Sequence, residues 1–207
     1  MHGLFYDIGL GIGLAAACGL RPFLPLLTAG AFARAGDLGV SFAGKPFRFL
    51  DGAVWLLAVT VGLVVSYLVQ IAADRSPTEE QALRGGDPFA STLTGIALAS
   101  GALLFAGTLA AHGDAWWPGI IGGLLCALVG ERAAGPLIAR VRRRLQDRAA
   151  RNALTVYLDA AALLAALVVC AFHPLGYVLL AALIWWLVRS RRAAGGDRYA
   201  GLRILGR

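Results

Sequence analysis

Residues 53–73 read AVWLLAVTVGLVVSYLVQIAA, 21 consecutive positions without one charged side chain. At 1.5 Å per residue a helix of this length crosses the roughly 30 Å hydrocarbon layer of a bilayer. Similar runs occupy Leu93–Ala111 and Leu154–Phe172. Over all 207 residues the chain is 58% hydrophobic and only 15% charged, against about 25% charged in soluble domains. So much apolar surface cannot be buried in one water-soluble core of this size. A soluble enzyme, a disordered chain and a disulfide-stapled secreted domain are excluded, and an all-α polytopic membrane bundle is expected.

Working outward from that run, hydropathy and helix breakers give six spans. The first covers Leu4–Ala35 and is interrupted by Arg21-Pro22-Phe23-Leu24-Pro25; the second covers Phe47–Ala73. The third begins at Asp87-Pro88, an N-cap followed by a first-turn proline, and ends near Ala111. The others run over Pro118–Ala139, Asn152–Phe172 and Pro174–Val188, so residues 1–188 form one transmembrane domain and 189–207 a basic tail. No basic region precedes the first apolar run, which is read as a retained helix and not a signal peptide. Cys18, Cys126 and Cys170 lie inside apolar runs without CxxC spacing and read as small buried hydrophobes.

The net charge of +7 is unevenly placed. Fourteen arginines (two in the loop after the second span, six around Arg140–Arg151, six from Arg189 onward) fall on one side of this six-span scheme. Arg34, Lys45 and Arg48 fall on the other. The positive-inside rule then puts both termini in the cytoplasm, with the basic face against anionic lipid heads. The basic block carries no interleaved aromatics, so nucleic acid is not an expected partner. Homo-oligomerisation remains open, because Gly9-x-x-x-Gly13 and Gly119-x-x-x-Gly123 suit close helix crossing either within or between chains.

The sequence also repeats itself. Gly11–Leu27, GIGLAAACGLRPFLPLL, aligns without gaps on Gly122–Ile138, GGLLCALVGERAAGPLI, matching Gly19 to Gly130, Arg21 to Arg132 and Pro25 to Pro136. A second block matches Phe49-Leu50-Asp51-Gly52-Ala53 to Tyr157-Leu158-Asp159-Ala160-Ala161. Two three-helix repeats, 1–111 and 116–188, follow; an odd number of spans in each makes them inverted, a plan used by many transporters.

Ionisable groups at membrane depth cost about 2.5–3.5 kcal/mol and normally face a partner. Arg21, Asp51, Arg132 and Asp159 occupy such depths at matched positions, and Glu131 breaks the symmetry. The spacing predicts Arg132 beside Asp159, and Arg21 beside Asp51 as its counterpart. Gly19, Pro22, Pro25, Gly130 and Pro136 are expected to break the helices beside the two arginines, freeing backbone groups next to a cation. Two readings fit: permanent ion pairs stapling the repeats, or a site for phosphate or carboxylate. His2, His112 and His173 form no metal constellation, and neither a metal nor another cofactor is expected.

GIGLAAACGLRPFLPLL, the downstream GERAAGPL element and the length resemble the bacterial domain-of-unknown-function family 4126, most clearly over Gly9–Leu27. That resemblance implies a small inner-membrane protein and names no activity. Members often carry a Gly-Asn-Pro element before a Ser-Thr pair; here Gly86-Asp87-Pro88 precedes Ser91-Thr92. Arg21-x-x-x-Pro25 beside glycine also has a looser likeness to the re-entrant Arg/Pro elements of DedA-type proteins, which are implicated in moving undecaprenyl phosphate. The expected function is a small transporter or channel with a central Arg/Asp site for an anionic solute or lipid phosphate. The alternative is a membrane scaffold or accessory subunit docking a partner or anionic lipid through its basic face. An enzyme is not expected, since rhomboid-type, metal and phosphotransferase signatures are missing.

Overall fold

The structure is a computed structural model that describes residues 3–42, 44–75, 88–111, 113, 115–144 and 148–200. Those residues form seven α-helices: α1 (Leu4–Leu20), α2 (Phe23–Ala35), α3 (Ala53–Arg75), α4 (Pro88–Ala110), α5 (Trp117–Arg144), α6 (Arg148–Ala171) and α7 (Leu175–Ala200). A short 3-10 turn, Phe47–Asp51, precedes α3. Four helices, α3 to α6, are long and apolar enough to cross a membrane. The last helix carries the basic tail onward as far as Ala200. Asp87 and most of the loop after α3 lie outside the described residues.

The first predicted span is two helices. Arg21 is extended (φ −151°, ψ 118°) and ends α1 after 17 residues, about 26 Å of helix. A helix continuing through this point would drive the Pro22 and Pro25 rings into the carbonyls of Cys18 and Arg21. Restarted at Phe23, the chain instead places Pro25 in the first turn of α2, where an amide hydrogen has no helical partner anyway. Pro136, a single proline in the interior of α5, leaves that helix unbroken. The expected breaks at Gly130 and Pro136 therefore do not occur, and the break beside Arg21 does.

Helix directions follow from what touches what. Near its start α1 meets the α6–α7 turn: the Phe5 and Tyr177 rings stack at 4.9 Å, and the Tyr177 hydroxyl donates to the Phe5 carbonyl. A Cβ on Gly9 would strike the His173 carbonyl, and one on Gly13 would strike Val169 and Gly176. The end of α1 lies against the middle of α5, where Gly19 faces Ala127 and Gly130. Then α2 turns back, with Phe23 against Gly62 and Gly30 against Leu56 on α3. Gly36 ends α2 in the left-handed region (φ 72°), its amide and that of Asp37 bonding back to Ala33 and Phe32. The following loop packs Phe42 and Gly44 on Gly107 and Ala110 at the end of α4. Thus α1 and α2 form a hairpin that dips to mid-depth and returns to the face it came from.

Two expectations change as a result. The start of α1 lies at the end of the bundle shared by the α4–α5 and α6–α7 turns, opposite the end of α7, so these two helix ends do not share a face as the six-span scheme expects. The inverted three-helix plan does not fit either. Gly11 and Gly122 both press on the Phe105 ring, and Gly19 meets Gly130, so α1 and α5 run in the same direction. In the second block Asp51 precedes α3 at one face, whereas Asp159 sits mid-way along α6.

The first block marks a real crossing. A Cβ on Gly19 would collide with the Ala127 carbonyl, and one on Gly130 with the Ala16 carbonyl, the matched pair reversed. Only hydrogen at these positions lets α1 sit at the centre, ringed by α4, α5, α6 and α7, with Leu14 to Cys18 fully buried. The Gly9/Gly13 and Gly119/Gly123 pairs are likewise spent inside the monomer, against α6–α7 and α4. Outside, Val54, Leu57, Val61, Val64, Val65, Leu68 and Ile71 leave most of α3 facing lipid.

Gly19→Ala or Gly130→Ala should each lower the melting temperature of the detergent-purified protein. Gly95→Ala, on an open stretch of α4 with nothing within 4 Å of the new methyl, should hold or raise it, since helix propensity favours alanine by about 0.5–1 kcal/mol. Three equal melting temperatures would contradict the crossing.

Candidate functional site

The tip of the hairpin carries a cation to the middle of the bundle. Because Arg21 is extended between two helices, its side chain leaves the hairpin sideways toward α6. There its Nε lies 2.7 Å from Asp159 Oδ1. Asp159 is eleven residues past the start of α6 and twelve before its end, so it lies about 16–18 Å from either terminus of that helix. The Tyr67 hydroxyl, from α3, donates to the other carboxylate oxygen, Oδ2. The two charged side chains are 18% and 12% exposed, in an apolar surround that disfavours either charge alone. Among the described residues the Arg21 Nη groups have no further partner.

A cavity of about 10 Å3, room for one water, adjoins this cluster. Its polar lining comes from Arg21, Asp159, Ser66, Tyr67 and Gln70, and its apolar lining includes Phe23 and Leu93. Gln70 lies four residues after Ser66 and three after Tyr67, so one side of α3 supplies all three.

The other predicted site residues lie elsewhere. Arg132 is on an exposed part of α5, its side chain 59% exposed, and its Nε is 3.5 Å from the neighbouring Glu131 carboxylate. It does not pair with Asp159. An exposed pair of this kind contributes about 0–1 kcal/mol. Asp51 does not pair with Arg21 either. It stands at the end of the bundle where α1 begins, its backbone carbonyl accepting from Arg34 Nη1 at 3.4 Å. With Arg34, Arg48 and Gly52 it lines an open polar recess of about 400 Å3 at that face.

The depth estimates explain the mispairing. Counting from Arg140 and from Asn152 places Arg132 and Asp159 at similar heights, yet rotation about the helix axis turns Arg132 outward. Counting gives no height for Arg21, because the helix it was assigned to does not continue. Tyr67, Ser66 and Gln70 were missed, although three polar groups on one face of an otherwise apolar span are a readable signal. Asp7, buried in the first turn of α1, and His173, buried at the α6–α7 turn, were also passed over as site residues.

If the pair is formed, Arg21→Gln and Asp159→Asn should each destabilise the folded protein by about 3–5 kcal/mol, because each strands one charge. The double variant should lose much less than the sum, and Arg132→Gln under about 1 kcal/mol. Strictly additive losses in a double-mutant cycle would mean that the two groups do not meet.

Residues 8–193 match the family described as a domain of unknown function, DUF4126. Comparison with curated proteins and with solved structures gives no match.

Proposed function

The chain belongs to the DUF4126 family, and for this member of it we propose a small, non-enzymatic carrier of the bacterial cytoplasmic membrane that binds a phosphate-bearing anion at Arg21. The observation that carries this reading is the Arg21–Asp159 ion pair held at mid-depth by the tip of a helical hairpin, beside a polar cavity. A permanent staple needs only the two charges. It has no need of a broken backbone, or of Ser66, Tyr67 and Gln70 beside the pair on a lipid-facing helix. Irregular backbone at such depth is tolerated where protein or a cavity covers it.

The chemistry is an exchange of partners. In the resting arrangement Asp159 holds the guanidinium, and Tyr67 holds the carboxylate. An incoming phosphate offers Arg21 two oxygens in the planar geometry that suits its fork. Asp159 then takes up a proton and keeps its hydrogen bond from Tyr67, so that no unpaired charge is left in the bilayer. Return of Asp159 to Arg21 expels the anion. The cavity is too small for a phosphate as it stands, so binding requires the hairpin tip and α3 to separate. α3 packs mainly on α2 and the 3-10 turn, which makes it the helix most readily displaced. The basic end faces the cytoplasm on this reading, by the excess of arginine there.

The test is ligand-induced stabilisation of purified protein, using inorganic phosphate, glycerol phosphate and phosphatidic acid. At least one should raise the melting temperature of the wild type, and the Arg21→Gln/Asp159→Asn double variant should lose that shift while remaining folded. The same shift in the double variant would overturn the assignment.

A further inference from the structure

An apolar cleft of about 260 Å3 lies between α2, α3 and α4, apart from the ion pair. Phe23 and Leu26 form its floor on the hairpin, Trp55, Ala58 and Val59 its wall on α3, and Ile96 to Leu103 its wall on α4. Ala58 and Ala99 line it and are themselves exposed, on helices whose outer surfaces face lipid. Phe23 also lines the cavity at Arg21. Cleft and cavity therefore follow one another along the inner face of α3, from Trp55 through Val59 and Leu63 to Ser66, Tyr67 and Gln70.

We propose that this slot holds the hydrocarbon chain of a membrane lipid whose anionic phosphate head reaches Arg21. The inference rests on the Arg21 site proposed above and deepens it, since it names a bilayer amphiphile and not a dissolved anion as the ligand. Three observations point to that occupant. The slot is apolar at one end and polar at the other, the polarity of a lipid. Its polar end lies toward the basic face: Gln70 is five residues, about 8 Å, from the end of α3, and Trp55 is twenty, about 30 Å. A lipid of the leaflet on that face carries its head and chain in the same order. Finally, the apolar end is walled by exposed small residues at membrane depth, so a chain can enter sideways without crossing water. A soluble phosphate would have no use for the cleft, and an apolar molecule no use for Arg21.

The test uses full-length protein with a diazirine-bearing phosphatidic acid, its diazirine on the acyl chain, and the matching phosphatidylcholine as a head-group control. Phosphatidic acid should label peptides containing residues 55–59 and 96–103, unlabelled phosphatidic acid should compete, and equal inorganic phosphate should not. Ala58→Phe/Ala99→Phe fills the cleft from exposed positions and should cut that labelling at least tenfold while the protein keeps its melting temperature. Wild-type labelling in this variant, or equal labelling by the phosphatidylcholine probe, would overturn the proposal and identify ordinary annular lipid. Labelling that inorganic phosphate displaces would overturn it in favour of a soluble ligand at Arg21. The site itself fails separately: if the Arg21→Gln/Asp159→Asn variant is stabilised by the phosphate ligands as the wild type is, Arg21 binds no anion, whatever the cleft does.

Discussion

A charge in the middle of a bilayer must be matched there, and Arg21 is matched by Asp159. The rest of the architecture can be read as the means of bringing those two groups together. Asp159 needs only a helix long enough to cross, and α6 supplies it. Arg21 needs a chain that stops half-way. A through-going helix would offer its side chain to whichever neighbour faced that side; the extended residue between α1 and α2 can aim it. Two prolines in four positions force the stop, and Gly36 closes the return.

Burying a hairpin at the centre of the bundle requires very close packing, and the glycines allow it. Gly19 and Gly130 bring α1 and α5 into backbone contact, Gly9 and Gly13 do so with α6–α7, and Gly101 and Gly123 join α4 to α5. In lipid there is little hydrophobic force between helices, so such approach, with its many van der Waals contacts, is a main source of cohesion. The consequence is an uneven molecule. Around α1 the packing is dense, while α3 is tethered at the edge by α2, the 3-10 turn and the Tyr67–Asp159 bond. The site and the cleft lie at that looser boundary, where movement costs the least contact.

The sequence reveals composition and local breaks better than it reveals direction. Membrane insertion, the long helices α3 to α6 and the matched glycines of the first block were legible, because each depends on residues adjacent in the chain. The hairpin was half legible. Residues 4–35 amount to about 48 Å of helix, far more than one 30 Å crossing needs, and Arg21-Pro22 divides them. Treating them as one span puts the start of α1 at the same end of the bundle as the end of α7, whereas the structure has them at opposite ends. Arg21 and Asp159 were legible singly as buried charges. Their pairing was not, because it depends on where a re-entrant tip ends and on how α5 is rotated. The short match around Asp51 and Asp159 shows the limit of such alignments: two apolar helices can share a few residues and nothing of their depth.

The most direct test of the account is therefore the sidedness of the two ends. Cysteines introduced at Gly3 and at Ser190, both exposed, can be probed with a membrane-impermeant maleimide in sealed vesicles of known orientation; the native cysteines are buried. The account predicts that the two sites label from opposite sides, with Ser190→Cys reactive only from the cytoplasmic face. Labelling of both from the same side would mean that the first apolar segment crosses the membrane, and the hairpin that carries Arg21 to Asp159 would not exist.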